Sequence, residues 1–140
     1  MPKGRILVFE DDIKAHLKTA KRIAVLGLSP KPERDSHDVG LYLKEHGYKV
    51  IPVRPAQDEV IGEKAFPNLL EIPRPVDIVN AFINPARMLP LAEDAAKIKP
   101  KLFWMQLGIE NAAAAELLTN AGIDVIMNRC IKTDHEKFIA

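Results

Sequence analysis

The sequence has little of several features that mark particular classes of protein. It contains one cysteine, Cys130, so no disulfide can form within the chain and a reducing compartment is expected. Twenty basic and nineteen acidic residues leave a formal net charge of +1, which gives no electrostatic argument for binding nucleic acid. No apolar run approaches the roughly 20 residues that span a bilayer, and Glu10 ends the first run too early for a signal peptide. We therefore expect a cytoplasmic protein with no nucleic acid or membrane partner.

The composition is that of an ordinary globular domain. The chain has 140 residues, of which 47% are hydrophobic, and this is enough to bury a core of its own. Residues 1–22 are expected to form an N-terminal arm and a short helix capped by Asp11 or Asp12. Residues 23–140 are expected to form a single domain, because no repeat or linker divides them.

Five continuous apolar runs alternate with helical segments. The runs are residues 23–28, 50–53, 76–82, 102–105 and 123–127. Continuous runs are typical of strands that are covered on both faces, whereas one-sided strands alternate apolar and polar residues. The pattern predicts an α/β fold, namely a Rossmann-like doubly wound three-layer sandwich around a five-stranded, mostly parallel sheet.

Residues 22–53 form one strand–helix–strand unit in this prediction. Asp35 or Ser36 is available as N-cap of the helix, and Gly47 follows its end. The loop after the first strand then lies at the carboxyl end of the sheet, where the next helix presents free backbone N–H groups. Phosphate groups commonly bind at such a place.

Other polar clusters are predicted at the same edge of the sheet. They comprise residues 29–36, 54–55, 84–87, 106–108 and 128–130. Open α/β sheets bind their ligands in the crevice at this edge. Cations are frequent in these clusters and indicate an anionic adenylate with more than one phosphate group: Lys31, Arg34, Arg54, Arg87 and Arg129. Ser29 and Ser36 bracket the first cluster and can bond phosphate oxygens, although Ser36 is equally explained as a helix cap.

The sequence lacks the glycine fingerprint of dinucleotide-binding folds. From Gly27 it reads G-L-S-P-K-P, without the second and third glycines of G-x-G-x-x-G. At the end of the second strand an NAD site has an acidic residue for the ribose, but this chain has Arg54. An arginine suits a ribose phosphate better than a free diol. An NADP-type dinucleotide-binding module is therefore an alternative at this point.

Four segments resemble the small stand-alone CoA-binding proteins, relatives of the CoA-binding domain that begins the succinyl-CoA synthetase alpha subunit. They are IAVLGLSPKPERDSHDVGLYLKEHGYKVIPVRP (23–55), GEKAFPNLLEIPRPVDIVNAF (62–82), WMQLGI (104–109) and AGIDVIMNRCIK (121–132). The resemblance implies coenzyme A or an acyl-CoA as ligand. It places around the pyrophosphate Gly27, Ser29, Lys31, Arg34 and Ser36.

The same resemblance assigns the rest of the crevice. Arg54 and Pro55 are expected near the adenosine, and Pro85, Gln106 and Gly108 are expected to line the crevice. The chain departs from the family pattern at residue 54, where the family usually has asparagine before the proline. Contacts at this position are therefore expected to differ.

Cys130 is the only residue that suggests chemistry beyond binding. It follows the fifth apolar run beside Arg129, and His135 is the one local base. A lone cysteine after a buried strand is also commonly a small packed hydrophobe. If it lies at the crevice floor, oxidation would join it reversibly to the CoA thiol.

We therefore expect a binding module without catalysis of its own. The synthetase relatives use an added catalytic domain and a phosphorylated histidine, and neither is expected in this chain. A CoA carrier or a redox-sensitive CoA-linked regulator are possible roles, and a homodimer is a possible assembly. The alternatives are the NADP-type module, a low-activity enzyme using Cys130, and an interaction domain that binds no nucleotide. No metal-ligand spacing occurs.

Overall fold

The protein is built around one central sheet with helices on both sides. The structure, a computed structural model, describes residues 3–140. Its strands are β1 (Arg22–Leu26), β2 (Lys49–Val53), β3 (Glu59–Val60), β4 (Glu63–Lys64), β5 (Ile78–Ala81), β6 (Leu102–Met105) and β7 (Asp124–Ile126). Its α-helices are α1 (Glu10–Thr19), α2 (Asp35–Glu45), α3 (Met88–Ile98), α4 (Ala112–Asn120) and α5 (Ile131–Phe138).

Five strands form the central sheet in the order β2-β1-β5-β6-β7. All four neighbouring pairs are parallel. Strand order reverses between β1 and β5, because the chain first adds β2 on one side of β1 and then crosses to the other side. The predicted five-stranded doubly wound α/β fold is confirmed, and its switch point lies between the carboxyl ends of β1 and β5.

The two faces of the sheet are covered by different helices. Strand β6 shows how the sequence divides between them, because alternate side chains of a strand point to opposite faces. Phe103 packs in the core beneath α3 and α4, and Trp104 packs in the core beneath α1, α2 and α5. Both side chains are fully buried, and burial of a large apolar side chain stabilises a fold by about 1.5–3 kcal/mol. These two cores give the three layers of the sandwich.

Helix α2 begins differently from the prediction. Its N-cap residue is Arg34, whose side chain makes no capping bond, and the helix starts at Asp35. The predicted cap at Asp35 or Ser36 is therefore wrong. The Oγ of Ser36 accepts a hydrogen bond from the N–H of Ser29 instead. The predicted end is confirmed, since Gly47 follows the helix with φ +94°.

The N-terminal segment joins the free edge of the sheet. Ile6 pairs with Val125 of β7 in a parallel bridge. Helix α1 follows, with Phe9 at the N-cap position, so the predicted caps Asp11 and Asp12 lie in its first turn and do not cap it. None of the helices in residues 3–140 is both long and apolar enough to cross a membrane.

Along the chain, a small antiparallel hairpin, β3-β4, separates β2 from β5. Ile61 and Gly62 form the turn between its strands, with φ values of +50° and +76°. The flanking strands are each two residues long, too short to produce a periodic pattern in the sequence.

Candidate functional site

The ends of the central strands are held close together at the switch point. Gly27 follows β1 with φ +80°, and a Cβ added there would lie 2.6 Å from the carbonyl oxygen of Phe82. The N–H of Gly27 donates to the carbonyl oxygen of Val53 (2.9 Å), and the N–H of Phe82 donates to that of Leu26 (3.0 Å). Only glycine satisfies both the backbone angle and the spacing here. The residue therefore fixes the shape of the crevice mouth.

A large cleft opens directly above this point, between the loop after β1 and the start of α2. It has a volume of about 590 Å³. Its lining residues define what we call the loop cleft: Gly27, Ser29, Lys31, Glu33, Arg34, Asp35, Ser36, Arg54 and Phe82. It thus contains six of the residues predicted to bind the ligand.

Two serines organise the floor of the loop cleft. The Oγ of Ser36 accepts from the N–H of Ser29 (3.0 Å), and the Oγ of Ser29 accepts from the N–H of Lys31 (3.1 Å). Both residues are buried. In each bond the hydroxyl oxygen is the acceptor, and within residues 3–140 neither hydroxyl hydrogen has an acceptor. The serines therefore hold the loop and keep their O–H groups available to a bound anion.

The charges in the loop cleft favour an anion. Three cations, Lys31, Arg34 and Arg54, line it with two acids, Glu33 and Asp35. None of these five side chains forms an ion pair within the part of the chain that the structure describes. The cations are therefore not neutralised by specific partners, and the cleft has an excess of one positive charge.

The start of α2 adds backbone donors to the same cleft. Because no side chain caps the helix, the N–H groups of Asp35 and Ser36 have no hydrogen-bond acceptor in residues 3–140. The positive end of the helix dipole lies at these groups. Uncapped amides, hydroxyl donors and cations together form a site suited to phosphate oxygens.

A second cleft, of about 420 Å³, lies on the α3 side of the switch point. We call it the proline cleft; its lining includes Gly27, Val53, Arg54, Pro55, Pro67, Asn68, Phe82, Ile83, Arg87 and Leu91. It shares Gly27, Arg54 and Phe82 with the loop cleft. The Oδ1 atom of Asn68 is buried without a hydrogen-bond partner in residues 3–140. Apolar walls with a few polar groups are typical of sites for aromatic rings.

A third cleft, of about 400 Å³, lies between α2 and α5. We call it the cysteine cleft; it is lined by Asp35, Asp38, Val39, Phe82, Gln106, Leu107, Ile109, Cys130, Lys132, Thr133 and Glu136. Lys132 donates to Asp38 across it (2.9 Å), and this hydrogen bond raises the pKa of Lys132. The cleft shares Asp35 and Phe82 with the loop cleft, and Phe82 lines all three clefts.

Gln106 fixes the base of the cysteine cleft. Its Oε1 accepts from Asn80 Nδ2 (3.2 Å) and from the N–H of Ile131 (3.2 Å), the first residue of α5. The side chain is nearly fully buried. Gln106 therefore ties β5 and β6 to the start of α5, next to Cys130.

Three of the predicted site residues are not at the clefts as expected. The guanidinium of Arg129 donates twice to Asp134 (2.7 and 2.9 Å), which raises the pKa of Arg129 and neutralises its charge. Pro85 and Gly108 line none of the three clefts. The carbonyl oxygen of Pro85 accepts from Asn111, and the N–H of Gly108 donates to Asn128.

Cys130 and His135 are not hydrogen-bonded to each other within residues 3–140. The Nδ1 of His135 lies 2.7 Å from the hydroxyl of Tyr42, and the ring is buried against Tyr48 and His46. His46, Tyr48 and His135 line a different groove, toward the carboxyl end of α5. No cluster of three or more potential metal ligands is found among residues 3–140.

Phe82 is a central residue of the site that the sequence pattern does not single out. In the pattern it is the end of an apolar run, yet it lines all three clefts. The available signal was its position as the first residue after β5, the strand beside the switch point. A half-buried aromatic ring at this junction provides an apolar surface that a ligand extending through the clefts would contact.

Comparisons with known proteins agree with this geometry. The sequence profile of the family described as "CoA binding domain" matches residues 21–136. The uncharacterized protein YneT of Bacillus subtilis is 43% identical over 124 residues, which cover 89% of this chain and 92% of YneT. A hypothetical protein from Pyrococcus horikoshii with a solved structure is 37% identical; the match covers 100% of both chains, with a TM-score of 0.92.

A larger relative contains a similar segment. The ADP-forming acetate–CoA ligase II of Archaeoglobus fulgidus is 33% identical over 81 residues, which cover 55% of this chain and 12% of the ligase. The profile match and the full-length relatives show that this chain belongs to the CoA-binding domain family.

Proposed function

We propose that the protein is a stand-alone module that binds coenzyme A or an acyl-CoA and has no catalysis of its own. The diphosphate occupies the loop cleft, the adenosine the proline cleft and the pantetheine arm the cysteine cleft. One observation supports this arrangement most strongly: three clefts of different character share the lining residue Phe82, at the switch point of the sheet. A role as CoA carrier or CoA-linked regulator in the cytoplasm is consistent with it.

The residues present fit coenzyme A. Its diphosphate needs donors and positive charge, which Lys31, Arg34 and the two serines Ser29 and Ser36 supply. The helix amides at the start of α2 add further donors. When bound, CoA supplies a thiol, and Cys130, the one cysteine of the sequence, lines the cysteine cleft.

The separate positions of Cys130 and His135 argue against a thiol that uses His135 as its base. Covalent catalysis needs a nucleophile within hydrogen-bond reach of a base. Cys130 lines the cysteine cleft, whereas His135 is bonded to Tyr42 at a separate groove. A measurable CoA hydrolase or transferase activity that is lost in Cys130→Ser would contradict the proposed lack of catalysis.

Thermal unfolding with and without CoA tests the proposal. A ligand that binds only the folded state stabilises it, by about 2.7 kcal/mol at 100 times its Kd. Hydrogen bonds to charged groups contribute about 1.5–3 kcal/mol each, so Lys31→Ala with Arg34→Ala should weaken CoA binding at least tenfold. The matched control is Lys14→Ala with Lys18→Ala, which removes the same charge from α1. An unchanged CoA shift in the first double variant would contradict the assignment of the loop cleft.

NADP is the second candidate ligand, favoured by Arg54. An arginine at the end of the second strand commonly accommodates a ribose phosphate. The same thermal experiment separates the candidates: a larger stabilisation by NADP than by CoA at equal concentration would favour the dinucleotide. Stabilisation by neither ligand would indicate an interaction domain.

A redox-sensitive role follows from the place of Cys130. Its thiol is partly exposed and lines the cleft proposed for the pantetheine arm. Diamide would accept two electrons and two protons from the thiols of Cys130 and CoA, leaving a disulfide between them and a reduced hydrazine. Intact-mass spectrometry should then show one CoA adduct that dithiothreitol removes. Failure of wild-type protein to gain the adduct, or equal labelling of Cys130→Ser, would rule out the idea.

A further inference from the structure

Arg54 is held by its backbone in a fixed place at the edge of the site. It follows β2, and its N–H donates to the carbonyl oxygen of Phe66 (2.9 Å). Val53, just before it, also pairs with Phe66 in a parallel bridge. In doubly wound folds, the residue at the end of the second strand lies near the ribose of a bound nucleotide.

The guanidinium of Arg54 is positioned without being neutralised. Its Nη1 donates to the carbonyl oxygen of Gly27 (3.1 Å), which fixes the side chain against the switch point. Within residues 3–140 it forms no ion pair and no other side-chain hydrogen bond. Arg129, by contrast, gives its donors to Asp134. Arg54 therefore keeps a full charge and unused N–H groups.

The position of Arg54 between two clefts determines which part of a bound ligand its free N–H groups would contact. It lines both the loop cleft and the proline cleft, and no acidic residue lines the latter. A ligand with its diphosphate in one cleft and its base in the other must pass its ribose close to Arg54. In CoA that ribose bears a 3′-phosphate, a dianionic group that suits the planar donor pair of an arginine.

We propose that Arg54 determines specificity by binding the phosphate on the ribose, so that the protein prefers 3′-phosphorylated CoA over dephospho-CoA. This inference rests on the proposed function, because it assumes that the adenosine lies in the proline cleft. The same chemistry is present in the 2′-phosphate of NADP. The two sources are therefore separated by comparing CoA with dephospho-CoA and NADP with NAD.

Titration calorimetry of the wild type, Arg54→Gln and Arg34→Gln with CoA and dephospho-CoA tests it. The wild type should bind CoA about 10- to 100-fold more tightly than dephospho-CoA, as expected for a charge-assisted arginine–phosphate contact. Arg54→Gln should weaken CoA binding by a similar factor, leave dephospho-CoA binding nearly unchanged, and so abolish the preference. Arg34→Gln is the matched control: it should weaken both ligands equally, because both contain the diphosphate.

Each other outcome identifies what is wrong. If Arg54→Gln weakens CoA and dephospho-CoA by the same factor, Arg54 binds the diphosphate and the inference fails while the proposed function stands. If the preference survives in Arg54→Gln, another residue binds the 3′-phosphate. If the wild type prefers NADP over NAD more strongly than CoA over dephospho-CoA, Arg54 binds the 2′-phosphate of a dinucleotide and the inference fails for CoA. If the wild type binds neither CoA form, the proposed function fails as well.

Discussion

The close approach of β1 and β5 at Gly27 leads to a quantitative prediction for Gly27→Ala. An alanine there would adopt φ +80°, in the left-handed region, which costs about 1–2 kcal/mol. Its Cβ would also lie 2.6 Å from the carbonyl oxygen of Phe82, far inside van der Waals contact. The Phe82 backbone is hydrogen-bonded to Leu26, which restricts its movement away from the new Cβ. Overpacking therefore adds about 1–3 kcal/mol to the destabilisation.

Part of this cost is offset in the unfolded state. Alanine has less conformational freedom than glycine there, which stabilises the variant by about 0.4–1 kcal/mol. We therefore expect Gly27→Ala to lower the free energy of unfolding by about 2–4 kcal/mol. For a domain of this size, this corresponds to a fall of roughly 6–12 °C in Tm.

Gly47→Ala is the matched control. Gly47 also has a positive φ, +94°, but a Cβ there would meet no atom within 4 Å. This variant should show the conformational cost alone, about 1 kcal/mol. Urea denaturation followed by circular dichroism compares the two. Equal destabilisation of Gly27→Ala and Gly47→Ala would refute the close approach of the two strand ends.

Two further predictions concern buried polar groups near α5. Burial, together with the nearby His46, lowers the pKa of His135, so the folded state holds the ring neutral while the unfolded chain protonates it near pH 6.5. Below about pH 6.5 the unfolded state then binds more protons than the folded state, so the free energy of unfolding should decrease on acidification from pH 7. His135→Gln should flatten this pH dependence, as measured by chemical denaturation. Gln106→Ala should lower the free energy of unfolding by about 2–4 kcal/mol, because it leaves donors of Asn80 and Ile131 buried without an acceptor.

These two predictions have simple controls. Leu107 is the neighbour of Gln106 but is 66% exposed, so Leu107→Ala should change stability by no more than about 0.5 kcal/mol. Equal effects of the two variants would show that the Gln106 contacts contribute little. If the free energy of unfolding of His135→Gln depends on pH as steeply as that of the wild type, other groups cause the acid sensitivity.

The fold was predictable because burial on both faces leaves continuous apolar runs in the sequence. The strands and their order of appearance followed from those runs, and the loop after the first strand followed from the position of Gly27. The placement of Ser29, Lys31, Arg34 and Ser36 in one cleft also agrees with the sequence pattern, since these residues share one short loop.

Contacts that depend on how the helices and loops pack in three dimensions were not predictable from local pattern. The pairing of Arg129 with Asp134 depends on how α5 begins, and the sequence alone assigned Arg129 to the crevice. The hydrogen bond between Tyr42 and His135 joins residues 93 positions apart. Sequence spacing therefore could not show that His135 bonds Tyr42 and does not lie beside Cys130. Phe82 was missed because an apolar residue at the end of a strand looks like core, and only the three-dimensional meeting of the clefts distinguishes it.

The uncapped start of α2 shows where propensity misleads. Aspartate and serine commonly cap helices, and both are present, but Ser36 instead bonds the N–H of Ser29 and shapes the loop. The helix amides remain free as a result. A feature that is unfavourable for an isolated helix is thus explained if the site is completed by a phosphate.

Native mass spectrometry of the purified protein with CoA tests the central claim most directly. The account predicts one CoA bound per chain, retained by the wild type and by Lys14→Ala with Lys18→Ala, and lost at low ligand concentration in Lys31→Ala with Arg34→Ala. Absence of any complex at about 1 mM CoA, a concentration that reveals even binding of about −4 kcal/mol, would contradict it.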